Sequence, residues 1–161
     1  MTKKEKSELI ERYRHGVEAV EASILGIDEE AYDFVPPIED AWTIRAQIAH
    51  MLDADFFGRV RIRTAVAQSD AAVDVWDQDA WAGRLDYASA KVSRTLCLQR
   101  LVREALADFL ESLVDRDWGA LAIDHPEHGR IDLAEVVAVY ADHIGFHIKL
   151  IERNLKAYRE R

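Results

Sequence analysis

The chain has 161 residues, of which 49% are hydrophobic, 9% aromatic and 32% charged, a balance that fits one soluble domain spanning 1–161 with a sizeable core. Asp and Glu number 30 against 21 Lys and Arg, and the formal charge of −9 offers no net attraction to phosphate backbones or anionic lipid, so neither nucleic acid nor a membrane is expected as a partner. Seven Gly, three Pro and the lone Cys97 argue against a turn-dense β sandwich, a low-complexity linker and an internal disulfide.

The opening residues Met1 to Glu8 are largely charged and hold no apolar segment of the kind that begins a secretory leader. The longest apolar run, Val136 to Ala141, is far short of a membrane span, and a cytoplasmic location is expected. Leu9, Tyr13, Val17, Val20 and Ile24 recur every three or four residues among charged neighbours, which predicts an amphipathic helix from Lys4 to Leu25 with Gly26 placed to end it. A connector follows through Pro36 and Pro37, because consecutive prolines cannot continue a helix.

The second predicted helix opens near Trp42 and Thr43 and runs to Ala67. Its apolar residues fall on two arcs, Ile44, Ile48, Met51, Leu52 and Phe56 on one and Ala46, Ala49, Phe57 and Val60 on the other, so it is buried on more than one side. Ser69 to Tyr87 has no long period and reads as a crossover with a short helical turn. The third helix, Ser89 to Val114, shows a broad apolar face that includes Leu96, Leu98, Leu101, Leu106 and Leu110. Asp115 to Arg130 reads as a turn-rich link without strand alternation. The last helix runs from Asp132, with Glu135 three residues on as in a capping box, to Tyr158. Four such helices define an all-α chain, a four-helix bundle with long connections.

Chemistry concentrates on the last helix. His143 and His147 are four residues apart, on the stripe that carries Val136, Tyr140 and Ile151, while Asp142, Lys149, Glu152, Arg153 and Lys156 fall on the opposite, solvent-facing side. Such a pair serves either as two metal ligands or as a hydrogen-bonded core pair. A metal site needs a third ligand, and His50 is the best candidate, provided that the arc of Ala46 and Phe57 lines the interior. His15, His125 and His128 read as exposed polar residues, and Cys97 as a small core residue. No histidine has a Glu three residues before it, which excludes the ferritin-like di-iron pattern, and no phosphate-binding glycine motif or His-Glu-x-x-His is present. Gly145, in mid-helix, is expected to mark a close helix contact, including one across a homodimer interface.

The run Trp42-Thr43-Ile44-Arg45-Ala46-Gln47-Ile48-Ala49-His50-Met51-Leu52-Asp53-Ala54-Asp55 resembles the DinB-like superfamily of metalloenzymes. So do Trp76 to Trp81, His125-Pro126-Glu127-His128-Gly129 and Tyr140-Ala141-Asp142-His143-Ile144-Gly145-Phe146-His147, and the likeness covers nearly the whole chain. The resemblance implies a four-helix bundle in which His50, His143 and His147 hold one divalent metal, zinc first, with nickel, iron or manganese as alternatives. Asp53, one turn from His50, is the expected acceptor for an outer ring N–H, and Tyr140, one turn before His143, is either a second such partner or a core residue. Relatives that use such a metal to activate a low-molecular-weight thiol suggest an S-transferase acting on a small thiol or another small anion. A metal-dependent hydrolase and a non-catalytic ligand-binding bundle are the alternative functions.

Overall fold

Helix α1 (Lys3–Arg14) starts on a capping box: the Thr2 hydroxyl accepts from the backbone N–H of Glu5 at 3.3 Å, and the Glu5 carboxylate accepts from Thr2 N at 2.6 Å. The computed structural model describes residues 1–161. The predicted first helix is interrupted at His15 and resumes as α2 (Gly16–Ser23). The cause is internal to the core. Arg103 Nη1 donates to the carbonyl of Tyr13 at 2.8 Å, and a Cβ on residue 16 would sit 2.5 Å from that same nitrogen, so the break falls where glycine leaves room for the guanidinium.

A connector with a 3₁₀ turn at Glu29–Asp33 leads to α3 (Ile44–Ala67), capped by the Thr43 hydroxyl accepting from Ala46 N. Arg45 ties the connector down by donating to Asp33 and Glu29. The chain then crosses the bundle in a strap that holds strand β1 (Ala71–Ala72), helix α4 (Gln78–Arg84) and a 3₁₀ turn at Tyr87–Ser89. Helix α5 (Val92–Glu111) follows, then strands β2 (Ala122–His125) and β3 (Gly129–Asp132), and finally α6 (Leu133–Arg159), whose capping box of Asp132 and Glu135 is as predicted. The fold is a four-helix bundle of the bent α1–α2 unit, α3, α5 and α6.

Two features differ from the sequence reading. The link before α6 is not all turn: β2 and β3 form an antiparallel hairpin, with Ala122 opposite Asp132 and His125 opposite Gly129, and β1 adds to β2 in parallel. These strands are two to four residues long, too short to display alternation. The apolar faces of α3 and α5 are also narrower than the pattern implied, since Phe56, Val60, Leu98 and Leu101 are exposed. Cys97 is exposed rather than in the core.

The interior consists of two apolar clusters. One gathers Tyr13, Ala54, Leu106, Trp118 and Val137, and the other Val17, Ile48, Leu96, Ile144 and Ile151. Between them lies a fully buried ion pair. Arg103 Nε and Nη2 donate to the two Asp55 oxygens at 2.7 and 2.8 Å, and Nη2 also donates to the Tyr140 carbonyl at 2.8 Å. Gln99 donates to Asp55 at 2.7 Å. Burial pushes the Asp55 carboxyl up, with the guanidinium and the amide opposing it. Gly58 permits a second close approach, because a Cβ there would lie 2.8 Å from the Tyr140 ring. Gly145, by contrast, meets nothing within 4 Å in the chain and is exposed, so the predicted helix contact is absent within the chain.

Removing one partner of a buried ion pair leaves the other charge uncompensated, so Asp55→Asn should lower the unfolding free energy by about 3–5 kcal/mol. Urea denaturation followed by circular dichroism tests this, and a loss below about 1 kcal/mol would show that the pair is not the central strut of the bundle.

Candidate metal centre

His50 projects from α3 and His143 and His147 from α6, and the three rings converge through their Nε2 atoms. His143 Nε2 lies 3.1 Å from His50 Nε2 and 3.1 Å from His147 Nε2. The arc expected to line the interior does so only in part, since Ala46 and Phe57 are half-buried and Val60 is exposed. Ala46 lines the cleft in front of the histidines, and Phe57 reaches His50 through the intervening Trp76.

The tautomers make this cluster hard to satisfy by hydrogen bonding. His147 Nδ1 faces Gln47 Oε1 at 3.3 Å, and the amide oxygen can only accept, so Nδ1 carries the proton and Nε2 presents a lone pair. His143 Nε2 then faces two nitrogens but can make only one in-plane hydrogen bond, so one of the two contacts is left without a matched donor and acceptor. A cation resolves the conflict. Ligand bonds of about 2.0–2.1 Å in tetrahedral geometry place neighbouring nitrogens about 3.3 Å apart, close to the spacing found here. The donor set therefore fits a divalent metal held by three neutral imidazoles.

Burial keeps these rings neutral. It drives His50 down to about 3, with His143 adding to the effect, and His147 to about 3, with His143 and His50 adding. It lowers His143 to about 4, with the nearby Arg103 charge contributing. Trp76 stacks on His50 at 5.0 Å between ring centroids and on Phe57 at 4.8 Å, and Trp42 meets His50 edge-on at 5.0 Å. The strap thus supplies an aromatic cover for the α3 histidine.

The outer contacts differ from those expected. Asp53 does not reach His50: its carboxylate accepts from the Tyr87 hydroxyl at 2.7 Å, drawn toward the 3₁₀ turn of the strap. Tyr140 precedes His143, and helical side chains lean toward the N-terminus, so its ring points away to pack on Gly58 while its hydroxyl accepts from Arg61 at 3.0 Å. Nδ1 of His50 and Nδ1 of His143 are buried without a protein partner. Gln47, which lies 1% exposed within the quoted run, is the acceptor that sequence reasoning missed. Its position three residues before His50, one helical turn, was the available signal.

His15 is exposed as predicted. His125 is buried rather than exposed, stacked on His128 at 4.7 Å at the hairpin turn, and His125, Glu127 and His128 form a second group with metal-compatible spacing. There, however, His125 Nδ1 accepts from Glu127 N at 3.2 Å, so its neutral tautomer carries the proton on Nε2. The hairpin group is not preset for a metal as the main cluster is.

In front of the three histidines opens a cleft of about 1240 Å³, walled by residues of α3, α4, α6 and the strap, among them Trp42, Tyr87, Phe146 and Leu150. A helical bundle with a three-histidine centre at the base of an open cleft defines a class, that of bundle proteins built to hold a reactive metal. The profile described as the DinB superfamily matches residues 10–151, and the chain belongs to that superfamily.

Relatives include an Oceanobacillus iheyensis protein, 25% identical over 107 residues, and a Bacillus licheniformis protein, 25% identical over 135 residues, each named "Putative metal-dependent hydrolase". The first match covers 66% of this chain and 61% of that protein, the second 84% and 74%. Among solved structures, the fold is that of YfiT from Bacillus subtilis, described as "a probable metal-dependent hydrolase with an unusual four-helix bundle topology". The two superpose with a TM-score of 0.87 at 20% identity, over 97% of this chain and 89% of that one.

Histidines with depressed folded pKa values stabilise the fold fully above their unfolded value near 6.5, and that contribution is lost as pH falls through the folded values of about 4 and about 3. Urea midpoints of metal-free protein should therefore drop across that window, and a triple His50→Gln, His143→Gln, His147→Gln variant should lack the slope. An equal slope in the variant would assign it to other groups. Gln47→Ala should weaken metal binding about 10–100-fold in a competitive chelator titration, and unchanged affinity would remove Gln47 from the site.

Proposed function

We propose that this chain is a divalent-metal-dependent enzyme that activates a small thiol for transfer of its sulfur to an electrophile, with His50, His143 and His147 as ligands and zinc as the ion. The convergence of three Nε2 atoms at the base of an open cleft carries this reading. Bound there, a dication supplies a positive charge that favours a sulfur anion over a thiol at neutral pH. The protein does the rest by positioning.

Neutral imidazoles leave the charge of the ion undiminished, whereas a carboxylate ligand would cancel part of it. No carboxylate oxygen belongs to the group of donor atoms formed by the three histidines. Gln47 fixes the tautomer of His147, and the Trp42 and Trp76 rings hold His50 against rotation and limit water on that side. Trp42, Phe146 and Leu150 offer apolar contact for the body of a substrate. Near the site, a candidate general base is Asp53, which accepts from the Tyr87 hydroxyl and whose carboxyl burial pushes up. Thiol activation by an ion requires none.

A second reading, a metal-dependent hydrolase, is favoured by the names of the relatives. There the same charge would activate water and the Tyr87–Asp53 pair could relay a proton.

Protein purified without an affinity tag and supplemented with zinc should hold about one equivalent of metal, and His143→Ala should lose most of it. Loaded protein should accelerate the reaction of at least one small thiol with an aryl halide or epoxide, and chelation should abolish the rate. A failure of every thiol alongside turnover of an ester or amide panel would replace the transferase with the hydrolase. Less than a tenth of an equivalent of metal would overturn both.

A further inference from the structure

Seven guanidinium groups of this protein, those of Arg12, Arg14, Arg45, Arg100, Arg103, Arg130 and Arg161, are paired with carboxylates. Arg153 is held differently. Its Nε and Nη2 both donate to the side-chain oxygen of Asn154, at 3.3 and 2.9 Å. Asn154 is itself 1% exposed and fixed by donating from its Nδ2 to the Trp42 carbonyl at 2.8 Å. One edge of the guanidinium is thus clamped by a buried amide that carries no charge.

The clamp orients the cation without neutralising it. Arg153 is half-buried and lines the same cleft as the three histidines, although its place in the helical repeat assigns it to the solvent face. An Arg side chain on a rim is ordinarily mobile, and ordering it costs rotamer entropy. A buried Asn that spends its acceptor on this task makes structural sense if the remaining donors meet an anion. The clamp also links the site to the α3 entrance, since Trp42 contributes both the carbonyl that holds Asn154 and the ring that packs on His50.

The spacing sets the shape of the ligand. Residue 153 follows residue 147 by six positions on α6, which puts its Cα about 9 Å farther along the helix axis than that of the nearest histidine. Phe146 and Leu150 lie between them on the cleft wall. The cleft's acidic residues, Asp40, Asp79 and Asp86, come instead from the loop before α3, from α4 and from the strap after it. The α6 wall therefore carries a cation with no carboxylate beside it in the lining, whereas Arg84, the cleft's other guanidinium, shares its wall with Asp79 and Asp86.

We propose that Arg153, clamped by Asn154, is an anion subsite of this cleft and selects small molecules that carry a carboxylate separated from the group that meets the three histidines by an apolar spacer lying against Phe146 and Leu150. The sulfur end of such a ligand rests on the function proposed above; the carboxylate end does not.

The test uses full-length protein loaded with Co(II), whose absorption reports coordination of sulfur. Titration with 6-mercaptohexanoate and with 6-mercaptohexanol should show the acid binding about tenfold tighter at low salt, and the preference should shrink as salt is raised. Arg153→Gln should bind both equally, with unchanged Co(II) uptake and melting temperature, and Arg153→Lys should recover part of the preference. Equal affinities in the parent protein, or an undiminished preference in Arg153→Gln, would overturn the subsite. In a parallel arm, metal-free protein is titrated with hexanoate and with hexanol by calorimetry. If Co(II) is not taken up, the metal reading fails on its own, while an Arg153-dependent preference for hexanoate still supports the subsite and its absence refutes it.

Discussion

The bundle is organised around the ion pair of Arg103 and Asp55. The pair lies close to where the two apolar clusters meet: Arg103 falls between Leu96 and Leu106 on α5, its guanidinium reaches the Tyr13 carbonyl four residues before Val17 and the Tyr140 carbonyl four before Ile144, and Asp55 follows Met51 by one turn on α3. Two charges withdrawn from water cost several kcal/mol each, and that cost is offset only if nearly every donor and acceptor is matched. Here Arg103 reaches both Asp55 oxygens and the carbonyls of Tyr13 and Tyr140, and its plane lies over the Tyr13 ring at 4.4 Å. Any slip of one helix past another would break this match, so the pair fixes register in a bundle whose apolar contacts alone tolerate sliding.

The metal centre inherits that register. The Tyr140 carbonyl bonded by Arg103 is one turn before His143, and the Tyr140 ring seats against Gly58, two turns after His50. The α3–α6 spacing that brings His50 Nε2 to 3.1 Å from His143 Nε2 is thus set a turn away by a ring on a glycine and a guanidinium on a carbonyl. Proximity has an electrostatic side as well. The Arg103 charge adds to burial in keeping His143 unprotonated, which leaves its Nε2 lone pair ready for a cation at neutral pH. On the opposite flank the strap closes the site with Trp76, held between His50 and Phe57, and parallel pairing of β1 with β2 anchors the start of that strap.

What could be read from the chain beforehand follows from which signals are local. The helices of the bundle were legible because apolar spacing and caps are written within a few residues, as at Asp132 and Glu135. The three histidines could be joined through the family likeness, and their convergence agrees with it. Contacts made across the bundle were not legible. The break at His15 depends on a guanidinium from a residue nearly ninety positions away, and the hairpin before α6 has strands too short to show a period. Asp53 and Tyr140 were sensible neighbours by sequence distance, yet a hydroxyl from the strap takes the first and the lean of helical side chains carries the second away. Arg153 sits on the wrong side of an ideal helical wheel, and a wheel has no means to represent a long side chain turned back by a neighbouring amide.

The acidic composition also takes on a definite meaning once the charges are placed. A formal charge of −9 spread over the outer faces is screened beyond about 8 Å at physiological ionic strength, so it repels large polyanions at contact but does not govern the cleft. Inside, three neutral imidazoles and a guanidinium held by a neutral amide lie close together in a partly desolvated recess, where each positive charge acts at short range and with less screening. An anion small enough to enter exchanges the repulsive exterior for an attractive floor and wall. A polymer cannot make that exchange, because most of its charge stays outside. On the function and the subsite proposed above, the cleft selects small anionic molecules by local geometry rather than by net charge.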